Sequence, residues 1–280
     1  AAIGAIDDEN REPMMSDFLI YEQHEGVVTL TMNRPEIRNA IAGMEQAGEF
    51  EEVCDRINRD MTVGAVILTG AGKAFCAGGN VKDMRDGKGH SADTSVEVRD
   101  NFKIGVQRIP LAFHKLEAPL IGAVNGAAVG VGCDLVCMCD IRIASEYAKF
   151  AASFVKIGIA PGDGGAWWLP RAVGMAKAAE MVFTGDVIDA AEALACGLVS
   201  KVVPAEKLMA EAGDLAARIA ANPHHALRLS KRLLRESEHL SLESLLELSA
   251  AFQGMLYHTE DRRKAVAALV ETLEARSRKG

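Results

Sequence analysis

The residues best suited to chemistry lie in two glycine-containing stretches. One is Gly70-Ala71-Gly72-Lys73-Ala74-Phe75-Cys76-Ala77-Gly78-Gly79-Asn80. The other is Asn125-Gly126-Ala127-Ala128-Val129-Gly130-Val131-Gly132-Cys133-Asp134. Each follows an apolar run that reads as a buried strand, Val63 to Thr69 and Leu120 to Val124, and each leads into a helical pattern. Glycine at such a turn lets the backbone approach a ligand closely, and the free N–H groups of a first helical turn attract negative charge. Two loops of this kind can aim two N–H groups at one oxygen, the geometry of an oxyanion hole. Asp134 falls in the first turn of the second helix, where the macrodipole alone accounts for a carboxylate.

Neither loop is a nucleotide fingerprint. Gly130-x-Gly132 is followed three positions later by Leu135, where a dinucleotide loop needs glycine. Gly70-Ala71-Gly72-Lys73 has Ile67 in place of the first glycine of a P-loop and Ala74 after the lysine. Cys133, Cys137 and Cys139 are close enough to raise metal binding, but no histidine pair or second C-x-x-C completes a ligand set. They read as buried thiols on an apolar helix, in a reducing, cytoplasmic compartment, with no metal.

The elements that position these loops follow from periodicity. Val27 to Asn33 alternates, with Val28, Leu30 and Met32 on one face. Met44 to Asn58 carries apolar residues at 44, 47, 50, 54 and 57, the stripe of an amphipathic helix. Asp86 to Thr94 is a polar connection, and His90 reads as a solvated loop histidine. The adjacent Trp167 and Trp168 cannot share one helix face, so one is available to a pocket, although core packing accounts for either. Turns fall at Gly185-Asp186 and Gly197. Residues 205 to 276 form three or four amphipathic helices, broken near Asn222-Pro223 and Ser241, with Thr259-Glu260 capping the last. Their apolar faces need the main core or another subunit.

Bulk composition narrows the class. With 280 residues, 49% of them hydrophobic, the chain can build one sizeable core, and a net charge of -8 argues against nucleic acid as a partner. No apolar run reaches membrane-spanning length, which argues against a membrane partner. Residues 1 to 14 read as an extension or a non-native remnant, with Met15 a plausible natural start. Residues 15 to 204 then form the core, and 205 to 280 the helical region.

Five motifs in order resemble the crotonase family, the enoyl-CoA hydratases and isomerases. They are NRPEIRNA (33–40), AVILTGAGKAFCAGGNVKDM (65–84), PLIGAVNGAAVGVGCDLVCMCDIRIAS (119–145), GIAPGDGGAWWLPRAVG (158–174) and FTGDVIDAAEALACGLVSKVVP (183–204). The resemblance implies an α/β fold: a crotonase-like spiral of strand-strand-helix repeats with C-terminal helices that build a homotrimer or a dimer of trimers. It implies an acyl-CoA thioester substrate, with coenzyme A as part of the substrate and no separate cofactor. Carried over by motif, the N–H groups of Gly79 and Val131 hold the thioester oxygen as an enolate develops. The CoA moiety threads along Ala77, Gly78, Gly79, Asn80, Val81 and Lys82, with Lys73 near its phosphates.

The chain departs from the family at the catalytic carboxylates. The first of the two hydratase glutamates falls at Asp134, and the second falls at Phe154, which cannot titrate. Asp163 is the candidate replacement; some members of the family carry an aspartate one position earlier, where this chain has Gly162. Its alternative role is to cap the following helix. The family's C-terminal lysine that reaches a neighbouring subunit's CoA falls at Thr272, with Lys264, Arg276 or Arg278 left to compensate. Losing one of two carboxylates that clamp a water weakens hydration, so isomerisation is as natural an outcome. Other enolate chemistry (decarboxylation, dehalogenation, carbon–carbon hydrolysis) and non-catalytic acyl-CoA binding are the alternatives. The tryptophans mildly favour a bulky acyl group.

Overall fold

The computed structural model describes residues 18–41 and 43–277, so the expected extension at residues 1 to 14 lies outside the described residues. β1 (Leu19–His24) and β2 (Val27–Met32) pair antiparallel. Val28, Leu30 and Met32 are buried, as the alternation predicts. The sequence reading missed β1: LIYEQH has no apolar alternation, and only its first residue is buried. α1 (Met44–Arg59) buries Ala47, Phe50, Cys54 and Ile57 from the expected stripe, while Met44 stays exposed.

Three turns of strand, strand and helix follow. The first contains β3 (Ala65–Gly70), β4 (Ala74–Cys76), α2 (Val81–Arg85), α3 (Ser95–Ile104) and α4 (Arg108–Lys115). The second contains β5 (Leu120–Val124), β6 (Ala127–Val129) and α5 (Val131–Met138). The third contains β7 (Ile141–Ser145), β8 (Lys149–Ala151), α6 (Gly165–Val173) and α7 (Met175–Thr184). β9 (Ile188–Asp189), α8 (Ala190–Ala195) and β10 (Lys201–Val203) close the series. The first strand of each turn enters a six-stranded sheet ordered β1-β2-β3-β5-β7-β10, and the second enters a four-stranded sheet ordered β4-β6-β8-β9. This is the expected α/β spiral. β6 is not visible as a strand in the sequence, because Ala127 to Val129 are too few to show a period.

Both faces of the large sheet are covered, which is why β3 and β5 are continuous apolar runs joined in parallel. Val66, Leu68, Leu120 and Val124 enter the main core. Ala65, Ile67, Ile121 and Ala123 face the other way, onto Leu208, Ala212 and Ala216 of α9 (Leu208–Ala220). Three more helices follow: α10 (His224–Glu236), α11 (Leu242–Leu256) and α12 (Glu260–Ser277). The breaks fall where expected. Ser241 caps α11 through the Ser244 N–H, and Thr259 Oγ1 accepts the Arg262 N–H.

α10 fastens this region to the spiral with three cations on one face. Arg228, 4% exposed, donates to the carbonyls of Ile57 (3.1 Å), Asn58 (2.9 Å) and Asp60 (2.7 Å), which end α1. Lys231 donates to the Ala118 carbonyl at 2.7 Å and pairs with Asp140 at 2.6 Å. Arg235 donates to the Phe113 carbonyl at 3.0 Å and to Asp140 at 3.2 Å. Removing the first cation strands several buried carbonyls at once. We expect Arg228→Ala to cost about 3 kcal/mol or more in urea unfolding at fixed protein concentration. Its partner Glu117 is 56% exposed, so Glu117→Ala should cost less than about 1 kcal/mol. Equal losses would show that the arginine acts through that ion pair and not through the carbonyls.

Candidate active site

Asn39, from the first motif, holds the loop after β3. It is buried in the left-handed region, with φ 57, and its Nδ2 donates to the Ala71 and Ala74 carbonyls at 2.9 Å each. The neighbouring chain pairs with the residues before Gly79: Ala77 N–H donates to Arg38 O at 3.0 Å, and Ile41 N–H to Gly78 O at 2.9 Å. Gly79 N–H is left without an acceptor among the described residues. Asn80 Oδ1 accepts the Lys82 N–H at 3.1 Å, so this side chain caps α2.

The second loop arrives beside the first. Gly130 N–H donates to Ala151 O at 2.8 Å, and the first bond of the α5 ladder runs from Asp134 N–H to Gly130 O at 3.1 Å. The N–H groups of Val131, Gly132 and Cys133 precede that ladder. A Cβ at Gly132 would lie 2.1 Å from Cys76 O, so only glycine lets α5 begin against β4.

Gly79 and Val131 both line a cavity of about 170 Å³, together with Ala77, Gly78, Phe154 and Asp163. A second cavity of about 510 Å³ shares Ile41, Val81, Met84, His90 and Phe102 as walls and adds Asn80. Lys73 and Lys82 are exposed and lie outside both sets of walls. Phe154 stands on a short 3-10 turn, Ser153–Ile157, with its ring 3.7 Å from where a Gly130 Cβ would be. An apolar wall therefore faces the cavity at that point.

The two aspartates come together. Asp134 is fully buried and Asp163 is 5% exposed. Neither Asp134 oxygen makes a hydrogen bond of ordinary geometry, and a Cβ at Gly165 would lie 2.3 Å from both of them. The neighbouring charge is the Asp163 carboxyl, and two buried carboxyls beside each other resist carrying two negative charges. Burial drives Asp134 well above the ordinary value of 3.8; the Asp163 charge and the shared hydrogen bond add to it, and the Gly165 amide opposes it. Burial raises Asp163 too, but Asp134, its own amide and His90 pull back toward the charged form. The pair thus holds a proton where isolated aspartates would be ionised, with Asp134 its preferred carrier.

Several sequence expectations need correction here. Helix-end electrostatics is not the whole account of Asp134, because the side chain is buried and burial favours the neutral acid. Asp163 does not cap α6: the N-cap is Gly164, with φ 99 and no side-chain cap bond. His90 is not a solvated loop histidine. Its ring packs on Phe102 at 4.8 Å and its Nε2 accepts the Val106 N–H at 3.3 Å. Nor are the tryptophans simply core residues. They meet edge to face at 4.4 Å and line a separate cavity of about 450 Å³ with Pro110, Leu111, His114 and His239. That cavity meets the loop around Asp163 at Gly162 and Gly164, and Phe154 is not among its walls. The tryptophans are thus no part of the walls around Asp163. The sequence reading also missed Gln107, whose Nε2 donates to Gly162 O at 2.9 Å and anchors the loop before Asp163. A lone glutamine in a helical stretch carries no local signal.

Among the described residues no three His, Cys, Asp or Glu are arranged to hold a metal ion, and no helix is long and apolar enough to cross a membrane.

Spiral, paired loops and buried carboxyls together define a crotonase-type protein, and comparison with known proteins agrees. Residues 22–278 match the Enoyl-CoA hydratase/isomerase family, and the chain belongs to it. It is 38% identical over 254 residues to a short-chain-enoyl-CoA hydratase of Clostridium acetobutylicum, covering 90% of this chain and 94% of that protein. It is 35% identical to a 1,2-epoxyphenylacetyl-CoA isomerase of Escherichia coli, covering 91% and 96%. Among solved structures, an enoyl-CoA hydratase from Bacillus anthracis superposes with a TM-score of 0.84 at 32% identity, covering 91% of this chain and 96% of that one.

The buried pair makes stability depend on pH. Above 3.8 the native pair binds more protons than the unfolded chain, so its contribution declines as pH rises. Asp134→Asn removes that titration and keeps a donor facing Asp163. We expect the variant to melt higher than the parent at pH 8, by roughly a few degrees, with the gap closing toward pH 5. A variant that melts lower at every pH, in calorimetric scans, would count against a proton held by the pair.

Proposed function

We propose that this protein is an acyl-CoA enzyme of the hydratase/isomerase type that stabilises a thioester enolate with the Gly79 and Val131 amides. The observation that carries the reading is one small cavity lined by both unsatisfied amides and by Asp163, a buried carboxyl with an oxygen left without a hydrogen-bond partner. Charge developing on the thioester oxygen would meet donors already in place, with no solvent to reorganise. Asp163 removes a proton from the acyl chain and returns it at another carbon, and the pair cycles between one proton and two. Asp134 keeps the second proton out of the substrate's way. The bond broken is C–H, the bond formed is C–H, and the electron pair rests on the enolate between the two steps. Such a shuttle needs no metal or redox cofactor.

Isomerisation fits the site better than hydration, because Phe154 offers no acceptor to clamp a water. Hydration is the second reading. It is favoured by the relatives named as hydratases, and Asp163 would then activate the water alone. The CoA moiety is assigned to Ala77, Gly78, Gly79, Asn80, Val81 and Lys82, with Lys73 and Lys82 exposed for its phosphates. Asn80 contributes through its backbone, since its side chain caps α2.

The reading includes a homotrimer or dimer of trimers. α12 has no buried residue over its whole length, and it exposes Leu269, Val270 and Leu273. Cytoplasmic placement is also part of it: six thiols, none paired, suit a reducing compartment.

The test is a panel of 2-enoyl-, 3-enoyl- and dienoyl-CoA esters, with products separated and weighed. We expect an isomer of unchanged mass, and a loss of about 10²- to 10⁴-fold in turnover for Asp163→Asn. A product heavier by one water would make the enzyme a hydratase, and turnover unaffected by Asp163→Asn would sink the role of that residue. Sedimentation should give the mass of three chains or six; a monomer would overturn the assembly.

A further inference from the structure

His90 is the one titratable side chain of the inner cavity, apart from Asp163 and Lys156, and nothing above gives it a role. It sits between α2 and α3 as a wall shared by the inner and outer cavities. Its orientation is set from three sides. Phe102 packs against the ring with 4.8 Å between centroids and 36° between planes. The Val106 N–H donates to Nε2 at 3.3 Å. Gly105 makes room, because a Cβ there would lie 2.6 Å from Nε2. With Nε2 accepting, the neutral ring carries its proton on Nδ1, and Nδ1 has no partner among the described residues. His90 is therefore a fixed donor on the wall of the cavity that Asp163 enters and Asp134 does not.

We propose that His90 is a positioning residue that fixes the negative charge of the Asp134–Asp163 pair on Asp163, the member that reaches the cavity. Two carboxyls sharing one proton have two arrangements, and only one leaves a base facing the substrate. A donor on the Asp163 side selects that arrangement without touching the acyl group. Burial holds the imidazole below its ordinary value of 6.5 and so keeps it neutral, while attraction to Asp163 works against this. The other charged groups around it are accounted for. Lys156 on the inner wall pairs with Asp186 at 3.2 Å, and Arg85 on the outer wall pairs with Asp86 at 2.7 Å. Asp83 and Lys88 complete the outer wall. Asp163 is the carboxylate that shares the inner cavity with the ring.

This inference rests on the cavity being the reaction site, so its test has one arm that needs no substrate. Histidine ring nitrogens are followed by NMR against pH in the parent and in Asp163→Asn, with His90→Gln to assign the signal. We expect an Nδ1–H tautomer titrating below 6.5, and a further downward shift when Asp163 loses its charge. A signal that titrates like free histidine and ignores Asp163→Asn overturns the proposal. The second arm follows exchange of the α-protons of butyryl-CoA in D2O by mass, against pH. His90→Phe should move the acidic limb of the exchange rate upward by roughly one unit. His90→Gln, which keeps an N–H donor, should restore most of the shift. An unchanged limb in His90→Phe overturns the proposal. If the parent exchanges no protons, the proposed function fails, and the NMR arm alone decides whether His90 and Asp163 are coupled.

Discussion

A carboxylate taken out of water must find partners or give up its charge, and Asp134 is placed where it finds almost none. All eight residues of α5 are buried, so the helix that carries it has no wet face. What makes this tolerable is that burial favours the neutral acid, together with the absence of a side chain at Gly165, where a Cβ would strike both carboxyl oxygens. The start of α6, the loop that delivers Asp163 and the packing of α5 against α6 are all bound up with this one buried acid.

The spiral supplies the rest of the site through repetition. Because β4, β6 and β8 lie side by side in one sheet, the ends of successive turns fall next to one another. The first turn brings Gly79, the second brings Val131, and the third brings Phe154 and Asp163. Close passage of backbone against backbone, as at Gly132 over Cys76, is what allows two amides from different turns to reach one small cavity. A side chain at Val131 narrows that cavity but removes no donor.

The C-terminal helices divide the remaining tasks. α9 closes the outer face of the large sheet with small and aliphatic residues, and α10 reaches back with Arg228, Lys231 and Arg235 to the ends of earlier elements. Lys231 is buried enough that its ammonium is held down to about 8, despite pairing with Asp140. α11 and α12 are left with wide apolar surface facing outward.

Much of this was legible in the sequence by itself. The alternation at Val28, Leu30 and Met32, the stripe along α1, the buried runs of β3 and β5, and the breaks at Asn222-Pro223 and Ser241 are local signals, and local physics reproduces them. The motifs placed the chain in its family and its spiral. That residue 154 is a phenylalanine, which cannot titrate, is likewise a matter of one letter. Tertiary structure alone decided what those letters do. β1 lacks a period because it is an edge strand with little to bury. In the sequence Asp163 is equally a helix cap, but Gly164 takes that place and leaves the buried carboxyl without a cap bond. His90 looked like loop surface until Phe102 and Val106, from the next helix and the turn after it, closed around its ring. Whether a titratable group is solvated or buried, and which other charge it meets, depends on residues distant in sequence. No window along the chain contains that information.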